Sequence, residues 1–201
     1  MAELSITTFS TLDGVMQAPG GPTEDTSGNL TQGVCVYPYF DKDVGEIMTG
    51  IFQKADAFLL GRGTYDIFAE YFPKVTDEKD VIARNLNSLP KYVASNSLQA
   101  ATWNNSKIIR DVVQDVKTIK ARYKREVQVH GSAGLAQTLI ARNLIDEFRL
   151  LVFPVTIGSG KRLFGSGTGP AAMSLVNTRV TSTGAVMHIY RQAGELKTGS
   201  F

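Results

Sequence analysis

The sequence predicts an α/β domain: a central, mostly parallel mixed sheet flanked by helices and finished by a C-terminal antiparallel hairpin. Three observations predict it. Short runs of β-formers alternate with segments of helical spacing up to about Val155, and from there strand follows strand. The run Ala57-Phe58-Leu59-Leu60 is apolar without a break, which suits a strand buried on both faces. The stretch Val127–Phe164 reads strand, glycine turn, helix, strand, which is a βαβ pattern.

The elements follow in order. Leu4–Phe9 is rich in β-formers and reads as the first strand, ending in the turn Thr11-Leu12-Asp13-Gly14. Val15–Phe40 has no sustained period, and Pro19-Gly20-Gly21-Pro22 and Ser27-Gly28-Asn29 mark it as a long loop. Tyr37–Phe40 carries apolar area that needs covering. Val44–Lys54 places Val44, Ile47, Met48, Ile51 and Phe52 at helical spacing. Strand 57–60 ends at Gly61-Arg62-Gly63-Thr64, and Tyr65–Tyr71 is a short helix. Asp77–Leu89 reads as a polar helix, Lys91–Ala94 as a strand stopping at Ser95-Asn96, and Lys107–Ile109 as another strand. Asp111–Tyr123 is a helix capped by Asp111 with Val112, Val113, Val116 and Ile119 inward. Val127–His130 and Phe148–Val155 are strands around a helix opened by Ser132. After the loop Gly165–Pro170, Met173–Ser182 and Ala185–Arg191 alternate apolar and polar residues about Thr183-Gly184, the expected hairpin. One domain over residues 1–193 is expected, with a loose tail from Gly194.

The totals exclude several functions. The 201 residues are 43% hydrophobic, enough for one substantial core, and the net charge is +2 with no long basic run. Nucleic-acid and membrane-surface binding therefore have no electrostatic support. A lone cysteine, Cys35, excludes an internal disulfide framework and a cysteine-rich metal site. No metal is expected. The N-terminal residues lack the basic and apolar regions of a signal peptide, and no apolar run reaches membrane-spanning length. A reducing cytoplasm is the expected compartment.

Several strand ends carry candidate chemistry. Gly131-Ser132-Ala133-Gly134 reads either as an anion seat at a helix N-terminus or as an ordinary cap with Ser132 satisfying its own helix; on spacing alone the plain cap is favoured. Gly158-Ser159-Gly160-Lys161 fails as a phosphate loop, because Val155 and Arg162 stand where glycine and a hydroxyl are required. Arg62 and Thr64, delivered by a buried strand to a helix start, suit a phosphate; the competing reading pairs Arg62 with Asp66. Ser95 also follows a strand, and ligands collect at the carboxyl ends of strands in open α/β sheets. The coincidence of Arg62/Thr64, Ser95 and the Gly131 turn is stronger than any one of them. Asp13 either points into the same crevice or bonds its own turn. His130, His188 and Cys35 read as structural.

At these residues the chain resembles the dihydrofolate reductase-like superfamily, in the branch related to the reductase domain of riboflavin-biosynthesis deaminase-reductases. The matching segments are Ser10-Thr11-Leu12-Asp13-Gly14, Ala18-Pro19-Gly20-Gly21-Pro22, Pro38-Tyr39-Phe40-Asp41, Leu60-Gly61-Arg62-Gly63-Thr64-Tyr65, Lys91–Ser95, and Gly131-Ser132-Ala133 with Asp146-Glu147, Pro154, Gly158, Gly160 and Arg162-Leu163-Phe164. They occur in consistent order from about Leu4 to Arg191.

The resemblance implies NADPH as cofactor. Gly61, Arg62 and Thr64 would hold the 2′-phosphate and pyrophosphate side, Ser95 would sit beside the adenosine phosphate, and Gly131, Ser132 and Ala133 would pass the pyrophosphate and nicotinamide. Asp13 would contact substrate or relay a proton. Tyr39 and Phe40 would wall the substrate, under a partial lid formed by residues 15–40. The implied activity is hydride transfer to a small heterocyclic or carbonyl-type substrate, with a non-catalytic nucleotide- or pterin-binding module as the competitor. A third reading, a scaffold without cofactor, requires the crevice to be filled by Tyr37–Phe40. The resemblance also admits a homodimer joined through sheet edges or hairpins. It departs at Cys35, where relatives of this branch often carry tryptophan, and at the helix before the Gly-Arg strand, where no acid aligns with the one in folate reductases.

Overall fold

A computed structural model describes residues 1–21, 24–30, 33, 35–166 and 168–200. Pro22 of the Ala18–Pro22 motif and Gly167 of the 165–170 loop lie outside the described residues. The strands are β1 (Glu3–Thr11), β2 (Ala55–Gly61), β3 (Lys91–Ala94), β4 (Ser106–Ile109), β5 (Glu126–His130), β6 (Glu147–Phe153), β7 (Met173–Val180) and β8 (Val186–Gln192). The helices are α1 (Lys42–Phe52), α2 (Arg62–Tyr71), α3 (Val81–Ser88), α4 (Val112–Arg122) and α5 (Ala133–Ala141).

Among the described residues the strands form one sheet in the order β4-β3-β2-β5-β1-β6-β8-β7. Every pair from β4 to β6 is parallel, and β6–β8 and β8–β7 are antiparallel. The expected mixed sheet with a terminal hairpin is present. Helical crossovers join the parallel neighbours, and the three-residue turn Ser182-Thr183-Gly184, closed by the Thr181–Ala185 backbone bond, returns β8 antiparallel to β7. Gly184 takes φ 86°, which glycine adopts without penalty.

Side chains alternate across the sheet and build two cores. Leu4, Ile6, Leu59, Val127 and Val129 meet Val116 and Ile119 of α4 and Leu135 and Leu139 of α5. On the other face Phe58, Leu60, Val93 and Leu151 meet α1 through Val44, Met48, Ile51 and Phe52, and α3 through Leu86. That second face also buries a polar ladder where the sequence reading had only apolar strands. Arg149 is 2% exposed and Gln128 0%, with Glu126, Glu147 and His130 beside them.

Helix starts differ from the sequence reading for identifiable reasons. The helix read as Asp77–Leu89 begins at Val81, because the Asp77 carboxylate accepts from the Lys79 amide and folds residues 77–80 into a turn. Asp80 then caps α3 through the Ala83 amide at 2.9 Å. Asp41 caps α1 through Val44, and Asp111 caps α4 through Gln114. The helix read from Tyr65 begins three residues earlier, at Arg62, since Gly61 already has the extended conformation of a cap residue (φ −73°, ψ 160°). Strand β6 stops at Phe153, before Pro154 and Val155.

Candidate active site

The carboxyl ends of β1, β2, β3 and β5 open into a cleft of about 960 Å³. This lies at the upper end of single-ligand sites, roughly 300–1,000 Å³. Its lining falls into two chemical groups. One is polar: the starts of α2 and α5, Ser95, Asn96 and Arg110. The other is apolar and aromatic: Phe9, Phe40, Met48, Phe52, Phe68 and Phe72. Residues 16–20, the carboxylates Glu24 and Asp25, and Lys161 lie on the rim.

Three helices are capped by aspartates, but α2 and α5 have no side-chain cap among the described residues. Both of these start on the cleft, leaving first-turn amides and the positive dipole ends facing it. The reading of Ser132 as its own helix cap is corrected. Ser132 takes the left-handed conformation, φ 61° and ψ 67°, and its hydroxyl turns away from the amides of α5. Oγ accepts from the Gly61 amide at 3.0 Å and donates to Thr64 Oγ1 at 2.7 Å. The serine thus latches the two glycine turns together. Gly61 has no room for a side chain: a Cβ there would lie 2.9 Å from Ser132 Cβ and Oγ.

Gly61, Arg62, Thr64, Ser95, Gly131, Ser132 and Ala133 therefore line one cleft, though they come from three strand ends. Arg62 Nε donates to Asp66 at 2.6 Å, one turn along α2. The pair is about half exposed, and such surface pairs contribute roughly 0.2–1 kcal/mol, so redirecting Arg62 toward a phosphate costs little. Its terminal amino groups carry no hydrogen bond among the described residues. Arg110 escaped the sequence reading. It follows β4, donates to the carbonyls of Ser95 and Leu98, and lines the cleft. The signal available was its place at a fourth strand end.

Asp13 is used differently from the sequence expectation and is not among the cleft-lining residues. Its carboxylate accepts from Thr11 Oγ1 and from the amides of Ile157 and Gly158, the latter at 2.7 Å. The Thr11 bond, helped by those amides, holds its pKa below the ordinary value. Through those two amides Asp13 pins the first turn to the 157–158 segment, while the Thr11 bond steadies it within its own turn. Of the two expected wall residues, Phe40 lines the cleft and packs edge-on against Phe9 at 5.9 Å. Tyr39 does not; its carbonyl accepts from Thr183 of the hairpin turn. Tyr37 is 76% exposed, so the aromatic cluster 37–40 leaves the cleft open. Cys35 is half buried, and burial pushes its thiol pKa up. Among the described residues there is no cluster of His, Cys, Asp or Glu that could hold a metal. No described helix is long and apolar enough to cross a membrane.

His130, read from sequence as structural, lines the cleft while 5% exposed. Its ring stacks on Phe52 at 4.3 Å and 16°. Burial, reinforced by the positive charge of Arg149, lowers its pKa to about 3, so the ring is neutral at physiological pH.

A parallel sheet whose strand ends gather helix N-termini and arginines around one cleft is suited to an anionic ligand. Comparison with known proteins gives the family: a family model described as the RibD C-terminal domain matches residues 2–187, and the chain belongs to that family. It is 31% identical over 188 residues to the uncharacterized protein YyaP of Bacillus subtilis (strain 168), covering 92% of each chain. Among solved structures, it resembles a putative riboflavin biosynthesis protein from Shewanella sp. PV-4 with a TM-score of 0.66 at 18% identity, covering 96% of this chain and 99% of that one. A pyrimidine reductase-like protein from Corynebacterium diphtheriae matches with a TM-score of 0.61 at 12% identity, over 96% and 93% of the two chains. The fold is of the reductase type.

Proposed function

We propose that this chain is an NADPH-dependent reductase acting on a small heterocyclic or carbonyl-type substrate. The observation that carries this reading is the convergence of two side-chain-uncapped helix N-termini with Arg62 and Arg110 on one cleft. That donor set suits a ligand bearing several phosphates: dipoles, hydroxyls and guanidinium groups all favour anionic oxygen. Arg62 and Thr64 hold the 2′-phosphate and pyrophosphate, Ser95 the adenosine side, and the Gly131–Ala133 turn the pyrophosphate toward the nicotinamide. The cofactor supplies the hydride. The protein's own work is orientation and exclusion of water, for which the aromatic group around Phe9, Phe40 and Phe52 is suited. Family membership and the reductase-type relatives support the same assignment.

Titration of NADPH followed by its fluorescence tests the reading. Saturable binding in the micromolar range is expected, and no binding at high micromolar cofactor to folded protein refutes it. Arg62→Ala should weaken NADPH by about tenfold or more while changing NADH much less, because a charge-assisted bond to the 2′-phosphate contributes roughly 1.5–3 kcal/mol. Equal loss for both cofactors removes Arg62 from that role.

A homodimer is part of the proposal. All eight residues of the edge strand β7 are exposed, including Leu175, Val176 and Val180. An unpaired apolar edge is a template for strand pairing, and a second copy presents the same edge.

A further inference from the structure

A chain of polar groups starts at the exposed Arg191, runs through the buried Glu147, Arg149, Glu126 and Gln128, and ends at His130 on the cleft. Arg191 donates to Glu147 at 2.9 Å, and Arg149 donates to Glu147 through Nε at 2.8 Å. Arg149 also grips Glu126 with both terminal nitrogens, at 2.9 and 2.7 Å. Gln128 Nε2 donates to Glu126 at 2.8 Å and to the Ile51 carbonyl at 2.7 Å. Gln128 Oε1 then meets His130 Nε2 at 3.1 Å. A buried ion pair of this kind contributes little net stability compared with apolar residues of the same volume, so its presence calls for another use.

The chain fixes the state of His130. Gln128 has its nitrogen against two groups that only accept, so its amide cannot be reversed. Its oxygen therefore faces His130 Nε2, and that nitrogen must carry the proton. In the neutral ring Nδ1 is then a bare acceptor. Nδ1 has no hydrogen bond from any described residue. The buried side-chain atoms left without partners are Thr7 Oγ1 and Thr8 Oγ1, so Nδ1 is not sealed as they are, and the cleft is the space His130 lines. Thr7, register partner of His130 across β1 and β5, lines the same cleft. The aromatic side chains around them carry no charge. The cations on the cleft belong to its polar group: Arg62 opens α2, Arg110 follows β4, and Lys161 on the rim pairs with Asp25.

We infer that His130 Nδ1 is a substrate contact that determines specificity, with Gln128 as the residue positioning it. The ligand it selects is an uncharged flat ring carrying a hydrogen-bond donor, an N–H or O–H, and no phosphate. This rests on the reductase reading only for calling that ligand the substrate. A flat ring fits the aromatic walls, an acceptor locked in place demands a donor, and the rings packed against His130, Phe52 and Phe58, offer a phosphate no polar partner.

The test is calorimetric binding to the full chain, with and without saturating NADPH, using isatin and N-methylisatin. Both are flat, neutral two-ring compounds, and only isatin carries an N–H. Isatin is expected to bind about tenfold more tightly, because the methylated compound leaves the buried acceptor unpaired. His130→Phe retains a ring to stack on Phe52 and should equalise the two compounds; Gln128→Leu, which frees the histidine to change tautomer, should reduce the preference. Equal binding by the wild-type protein, no binding of either compound, or a preference that survives His130→Phe overturns the inference. Should that variant fail to fold, the wild-type comparison and Gln128→Leu decide it. Absent NADPH binding with the isatin preference intact removes the cofactor reading and leaves this one; the reverse pattern does the opposite.

Discussion

The contact between Gly61 and Ser132 allows a quantitative test of how the site is held together. Gly61 has φ −73° and ψ 160°, which any residue adopts, so the effect of Gly61→Ala comes from space alone. The new methyl would lie 2.9 Å from Ser132 Cβ and Oγ. Neither atom can swing aside: Cβ is fixed to the backbone, and Oγ is tied to the Gly61 amide and Thr64. Overpacking of this kind destabilises by about 1–3 kcal/mol. For a chain this long, that is a fall in Tm of roughly 2–4 °C per kcal/mol. Ser132→Gly removes both obstructing atoms. It relieves a left-handed non-glycine residue, about 1–2 kcal/mol, and loses two hydrogen bonds of about 0.5–1.5 kcal/mol each, so alone it should be close to neutral. In the double variant the methyl next meets Leu135 Cβ at 3.5 Å, an ordinary contact. The cost of Gly61→Ala should then fall below about 0.5 kcal/mol, giving an interaction energy of ~1–3 kcal/mol. Urea denaturation of wild type, both single variants and the double variant measures it. Additive costs would refute the claim that this contact joins the two turns.

Other expectations concern stability and assembly. With a folded pKa of about 3 against an ordinary 6.5, His130 binds its proton more weakly folded than unfolded, so stability is full above pH 6.5 and falls as pH drops toward 3. The loss should be ~1.4 kcal/mol per pH unit, or about 2 kcal/mol between pH 6.5 and 5, before the carboxylates titrate. Denaturation midpoints across that range check it; a slope unchanged in His130→Phe would contradict the burial argument. Arg149→Ala strands Glu126 in the core and should destabilise by about 3–5 kcal/mol at pH 7, less at pH 4, where the Glu126 carboxyl, no longer held low by the Arg149 guanidinium, takes up a proton more readily; thermal melts at the two pH values read this out. Val176→Lys on β7 should shift a dimer to monomer in sedimentation without lowering NADPH affinity, and an unchanged sedimentation coefficient would dissociate β7 from assembly.

The helices and strands were legible where one residue controls a local choice. Asp111 capped the predicted helix, the apolar run 57–60 was buried, and Thr183-Gly184 turned the hairpin, because caps, alternation and turn glycines act over a few residues. Residues 77–80 were misread for the same reason in reverse: their polarity is compatible with a first helical turn, and only the Asp77–Lys79 bond decides against it. The site was partly legible. Arg62, Thr64 and the Gly131 turn announce themselves as glycine-marked strand ends and Ser95 as the residue after a strand, and strand ends share one edge of any parallel sheet.

Periodicity, turn residues and composition were enough for the class of fold, the strand ends that carry polar chemistry, and the exclusion of an internal disulfide from a chain with one cysteine. Only the tertiary structure decided which way the ambiguous side chains are spent. Ser132 forgoes its own helix to hold Gly61, 71 positions away, and Asp13 serves a loop 145 positions away. His130, alone in its strand by any local reading, is set in one tautomer by groups from β5 and β6 and by a backbone carbonyl of α1. Hydrogen bonds and steric contacts are satisfied in space, and a side chain with more than one acceptable partner takes the one that folding brings near. That choice has no trace in spacing along the chain, and it turns a row of strand ends into a single cleft.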